Sequence, residues 1–183
     1  AVTDAPTPIS LTNHAYFNLD GVGNVLSHEL NIPSERMLET DASFIPTGRI
    51  SDVRKSAFDF TVFKQIGKDI DYTDTQFLWN KGYNHCYLFD ETGTIKKMAV
   101  LRSPLSGRVL TVSSTLPAMQ VYSGGFLEST AIGRYGRYIQ PSDGIALEAQ
   151  FYPDAPNQPA FPCCILQPGE IYNHEIIYKF STF

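Results

Sequence analysis

In IALEAQFYP, residues 145–153, the side chains sort by twos: Ile145, Leu147, Ala149 and Phe151 share one face of an extended chain, and Ala146, Glu148, Gln150 and Tyr152 share the other. A two-residue repeat is the pleat of a β-strand; helix faces recur every 3.6 residues and scramble such a pattern. VLSHELNI (25–32) repeats it, with Leu26, His28, Leu30 and Ile32 against Val25, Ser27, Glu29 and Asn31. YNHCYLFD (83–90) reads as a strand, ETGT as a hairpin connection, and TIKKMAVLRS (94–103) as its return partner. GRVLTVSSTLPAMQVYSGGFL (107–127) reads as a strand, a break at Pro117 and a shorter strand ending at Gly124-Gly125. A proline-rich loop, PDAPNQPAFP (153–162), and a QPGE turn precede a last strand in EIYNHEIIYKF (170–180). SFIPTGRISD reads as turns, and AFDFTVF (57–63) fits loop as well as strand.

No helical pattern of three full turns, internal repeat or low-complexity segment interrupts these strands. The expectation is an all-β protein, a large antiparallel β-sandwich occupying residues 1–183 as one domain. A chain of 183 residues holds one core and is too short to argue for two.

The charge balance narrows the partners. Charged residues make up 18% and the net charge is −5, with no basic run, which argues against nucleic acid and anionic membranes. Aromatic residues reach 13%, mostly Tyr and Phe, suited to sheet faces and to stacking on rings or sugars. No apolar stretch reaches the ~18 residues of a membrane span. Cys86, Cys163 and Cys164, an odd set with two adjacent, do not make a disulfide framework; a reducing, cytoplasmic setting is expected. The opening AVTDAPTPIS lacks an initiator methionine and signal character, and reads like the tail of a strand entering a loop, as a fragment or processed chain would.

Three places fit badly with plain sheet packing. Glu148 stands mid-strand between Leu147 and Ala149, His14 lies in LTNHAYFNLDG (11–21) beside Asn13, and Asn84-His85 open a strand. A carboxylate in an apolar strand is costly unless it is paired, hydrogen-bonded or turned to a cavity. A histidine and a partly desolvated glutamate together can move protons near neutral pH. The plainer alternatives are a solvent-facing Glu148 and a His14 bonded to a neighbouring loop. His28 and His174 lie in alternating strands and read as structural or exposed. No histidine or cysteine spacing suits a metal site, and no nucleotide-binding or serine-hydrolase motif is present. GRYGR (133–137) reads as a loop, and Cys163-Cys164 as packing.

These residues lie within a longer resemblance. TDAPTPISLTNHAYFNLDG, LSHELNIPSERMLETDASFIPTGRI, FDF, IGKDI, GYNHCYLF, VYSGGFL and IALEAQFYPDAPNQPAFPCCILQPGE follow one another as in the aldose 1-epimerase (galactose mutarotase) family, in its C-terminal half. The resemblance implies a large twisted antiparallel β-sandwich with a sugar cleft on one sheet. It also implies interconversion of the α and β anomers of hexoses such as galactose and glucose, without metal or organic cofactor. By position it makes His14 the general acid at the ring oxygen and Glu148 the general base at the anomeric hydroxyl. Tyr122 would contact the sugar ring, Gln150 would orient Glu148, and His85 would stand behind the site.

Two departures stand out. The family usually has aspartate where this chain has Asn84, a substrate-hydroxyl acceptor that loses its charge here. The family's first half, with an arginine and another histidine at the sugar, has no counterpart. A companion first-half chain or a homodimer is therefore expected to cover strand edges and an open inner face. The alternative function is a carbohydrate-binding protein of the same fold without turnover.

Overall fold

Three sheets, antiparallel throughout, carry the chain in the computed structural model, which describes residues 1–89, 92–128, 132–133 and 136–183. The largest runs in the order β2 (Tyr16–Phe17), β11 (Ile145–Gln150), β10 (Ala118–Tyr122), β7 (Asn84–Leu88), β4 (Arg36–Thr40), β5 (Pro46–Asp52). The second runs β13 (Ile176–Thr182), β9 (Arg108–Ser114), β8 (Lys96–Arg102), β3 (Glu29–Asn31), β6 (Lys64–Gln65). A small ladder pairs β1 (Thr7–Pro8) with β12 (Ile165–Leu166). One helix, α1 (Thr75–Asn80), and a single 3-10 turn, Ala155–Asn157, complete the regular structure of the described residues.

The two large sheets share one core. Leu30, Leu101, Leu110 and Val112 of the five-stranded sheet join Met37, Tyr87, Met119, Val121 and Leu147 of the six-stranded sheet in a continuous buried cluster. Each such side chain contributes about 1.5–3 kcal/mol by leaving water. Polar ties cross between the layers: the Tyr178 hydroxyl donates to the Leu147 carbonyl at 3.2 Å, and the Phe17 and Tyr178 rings lie 5.3 Å apart. This is the antiparallel β-sandwich that the alternation predicts.

Several local expectations are corrected. The segments at 83–90 and 94–103 are not a hairpin: β7 pairs β10 and β4, whereas β8 pairs β9 and β3 in the other sheet. The connection therefore crosses between layers; Asp90 and Glu91, on that connection, lie outside the described residues. β3 is shorter than 25–32 because the His28 amide donates to the Val25 carbonyl at 3.0 Å, closing a turn before Glu29. The turn-rich text at 44–52 carries the edge strand β5, with Pro46 as its first residue, where a missing amide costs no ladder bond. The last strand starts at Ile176 rather than Glu170, and residues 57–63 form a loop. Within GRYGR, Arg134 and Tyr135 lie outside the described residues.

The side chains of the shared core are buried between the two large sheets. At the end where β2 and β13 are edges, Phe180 stands against Phe17 with ring centroids 6.2 Å apart, yet is 62% exposed. There β13 offers seven residues of unpaired backbone edge.

Candidate active site

Register decides which side chains meet on the outer face of the six-stranded sheet. Gln120 of β10 pairs with Glu148 of β11 and with Cys86 of β7; Tyr122 pairs with Ala146 and Asn84; Ala146 pairs with Tyr16 of β2. Directly paired residues point the same way, so Tyr16, Glu148, Gln120, Tyr122 and Asn84 share one face, with Gln150 a step further along. The Tyr16 and Tyr122 rings stand edge to face, 6.1 Å between centroids.

His14 reaches this face from the loop before β2. Asn13 accepts the Ala15 amide at 3.0 Å on its side-chain oxygen, a turn that projects the intervening His14 outward. The imidazole tilts over Tyr16 at 5.0 Å, and its Nε2 lies 3.6 Å from Glu148 Oε1. Half of the His14 side chain is open to solvent, whereas only 8% of the Glu148 side chain is. The solvent-facing alternative for Glu148 is thereby excluded. Burial pushes its carboxyl above the usual value, and nearby His14 partly opposes that rise. Burial, then Tyr122 and Glu148, raise the Tyr16 phenol as well.

Asn84 and Gln120 form a second polar pair: Gln120 Nε2 donates to Asn84 Oδ1 at 2.7 Å. The Tyr122 hydroxyl accepts the Phe126 amide at 2.7 Å, which leaves its own proton to donate outward. Gln150 makes no hydrogen bond to Glu148 among the described residues. It lines a cavity of about 350 Å³ with Ser10, Tyr152 and Asp154. A separate cavity of about 200 Å³ is lined by Tyr16, with Leu127, Tyr138 and Ile139 on its walls.

The remaining candidates lie elsewhere. His85 points from β7 to the opposite side, buried against Phe58, where Nδ1 accepts the Asn84 amide at 3.1 Å and Nε2 meets Gln76 Oε1 at 3.1 Å. Burial drives its pKa down to about 3, so it stays neutral. His28 is buried and accepts the Leu19 amide at 3.0 Å, and His174 meets the Thr115 hydroxyl at 3.0 Å. Among the described residues no three His, Cys, Asp or Glu side chains converge on a metal position, and no helix is long and apolar enough to cross a membrane.

Sequence reading missed Gln120 and Tyr16. Both carried a signal: Gln120 shares Tyr122's face by period two, and Tyr16 shares His14's face two residues on. What was invisible is that Gln120 stands between Glu148 and Asn84, since those strands are distant in sequence.

Comparison with known proteins places these features in context. The model of the family described as aldose 1-epimerase matches residues 1–179. A galactose mutarotase of Mus musculus is 41% identical over 178 residues, 96% of this chain and 51% of that protein. An aldose 1-epimerase of Escherichia coli is 38% identical over 187 residues, 98% of this chain and 53% of that protein. Among solved structures, an aldose epimerase homologue from C. elegans superimposes with a TM-score of 0.85 at 32% identity, covering 99% of this chain and 54% of that one. A galactose 1-epimerase from Lactobacillus acidophilus gives 0.81 at 26% identity, covering 99% and 51%. The chain spans about half the length of the curated relatives it matches.

Proposed function

The chain belongs to the aldose 1-epimerase family, and on that premise we propose that it carries the proton-transfer centre of a mutarotase that interconverts the α and β anomers of a hexose such as galactose or glucose. In this reading protonated His14 donates to the ring oxygen while ionised Glu148 takes the proton of the anomeric hydroxyl. The bond between C1 and the ring oxygen opens to the free aldehyde, rotation presents the other carbonyl face, and closure returns both protons. The two sugar oxygens share one carbon, so acid and base need stand only a few ångströms apart. The observation that carries the reading is the 3.6 Å approach of His14 to Glu148 on a face lined by two tyrosines and two amides. A carboxylate with a raised pKa is also a stronger base than an exposed one. Tyr16 and Tyr122 supply apolar surface for one sugar face, and Asn84 and Gln120 supply hydroxyl contacts.

Polarimetry on freshly dissolved α-D-galactose or α-D-glucose tests the proposal. Glu148→Gln is expected to lose at least ~10²-fold in rate; an unchanged rate would overturn the assignment. Asn84, whose acceptor oxygen is already held by Gln120, favours a second reading as a sugar-binding protein without turnover. Calorimetric binding of galactose with only background mutarotation would select it.

We also read the chain as the C-terminal half of a longer sandwich, acting in a reducing cytoplasmic setting, with a companion first half or a second copy pairing along β13. The free β13 edge and the half-length match to relatives support that reading.

A further inference from the structure

Cys163 and Cys164 follow Pro162 in the strap that leads into β12. Both are free thiols, Cys163 exposed and Cys164 buried, so the expectation of plain packing holds only for Cys164. Both border a cavity of about 160 Å³, together with Glu170 and His174, and Cys164 also borders the cavity lined by Gln150. The Cys163 sulfur is folded back onto the chain, accepting the Ile165 amide at 3.4 Å.

The peptide carrying these thiols also anchors the arm that bears His14. The Cys164 carbonyl accepts the Ile9 amide at 2.9 Å, and β1 pairs β12 at Thr7–Leu166 and Pro8–Ile165. Ser10 then accepts the Phe151 amide at 3.0 Å, and the Leu11 amide reaches the Tyr172 hydroxyl at 3.2 Å. His14 follows three residues later.

We propose that Cys163 and Cys164 form a thiol–disulfide exchange site for small disulfides of the glutathione class, and that closing it into an intramolecular disulfide unlatches the arm carrying His14. Exposed Cys163, as thiolate, attacks one sulfur of glutathione disulfide, forming a mixed disulfide and expelling one glutathione thiolate. Cys164, whose thiol is held above its usual pKa by burial and by neighbouring Cys163, gives its proton to the departing glutathione thiolate as it attacks the Cys163 sulfur, expelling the second glutathione. Two protein thiols are oxidised, one glutathione disulfide is reduced to two thiols, and the two protons pass to the glutathione released.

The coupling to the arm is geometric. Neighbouring Cα atoms across a trans peptide are about 3.8 Å apart, whereas disulfide-linked residues ordinarily stand about 4.4–6.8 Å apart. Closure must therefore twist the 163–164 peptide, and the Cys164 carbonyl that holds Ile9 belongs to the residue being turned. A strained disulfide of this kind is readily reduced, which suits a reversible site.

The experiment needs no sugar chemistry, so it stands or falls separately from the mutarotase reading. The reduced chain is incubated with glutathione disulfide, then followed by intact mass, peptide mapping and amide hydrogen exchange. Expected are the loss of two hydrogens within the Cys163–Cys164 peptide, exchange of the Ile9 amide at least about tenfold faster, and reversal by dithiothreitol. Cys164→Ser should stop at a glutathione adduct on Cys163 with Ile9 still protected, and Cys163→Ser should form no intramolecular disulfide. Persistence of unreacted thiols or of a stable adduct in the unaltered chain overturns the proposal. So does a closed disulfide with Ile9 exchange unchanged.

Discussion

Gln120 donates to Asn84 at 2.7 Å, linking the central strand of the candidate site to the position where the family resemblance implies a carboxylate and this chain has an amide. Asn84 can still accept, but as a neutral partner, and charged hydrogen bonds are about twice as strong as neutral ones.

Restoring the charge should therefore strengthen sugar binding. Asn84→Asp is expected to lower the galactose Kd by about three- to tenfold in calorimetry, whereas Asn84→Ala should raise it by a similar factor and leave the Gln120 amide without its acceptor.

The pKa of Glu148 makes a stability prediction opposite in sign to the activity one. Its folded pKa is raised, so its favourable contribution is full below the unfolded pKa and is lost as pH rises through the folded value. At pH 7 the buried charge is a cost. Glu148→Gln should thus raise Tm at pH 7 by about 2 °C or more, a gap that shrinks as pH falls towards 4, while mutarotation collapses. A lower Tm at pH 7 would contradict the burial argument.

His14 lowers the pKa of Glu148 from 3.6 Å away. His14→Ala should let it climb further, read as an upward displacement of the Glu148 carboxyl titration by NMR. The catalytic rate should fall by at least ~10²-fold. A titration that stays put would mean that the two groups do not interact in solution.

Gly125 sits where the strand bearing Tyr122 turns back against α1. A Cβ built there lands on the Lys81 carbonyl oxygen, backbone that cannot swing aside. Gly125→Ala should destabilise by about 1–3 kcal/mol in denaturant titration and displace the Phe126 amide from the Tyr122 hydroxyl.

The open end of the sandwich predicts association. Native mass measurement should find the chain paired with a first-half partner or a second copy, and Phe180→Lys, at an exposed aromatic beside the free β13 edge, should weaken that pairing. A monomer at micromolar concentration would count against it.

Period-two alternation was enough to read an antiparallel sandwich and to set Glu148 on the face opposite Leu147, and the ordered resemblance singled out His14 as its partner. Those readings needed only local pattern or chain order. What alternation could not say is which strands become neighbours. β7 and β8, adjacent in sequence, lie in different sheets, so His85 turns to the core while Asn84 turns to the site. Gln120 joined the site only because β10 inserts between β7 and β11.

The residues alone therefore determined the strand character, the polar residues out of place in it, and the family whose chemistry they suit. Tertiary structure decided that Glu148 is buried, that it meets His14, and that the exposed Cys163 belongs to the strap holding the same arm. The physical reason is that a side chain's direction is set by its own backbone, whereas its burial, its charge and its partners are set by whichever distant strand packs beside it.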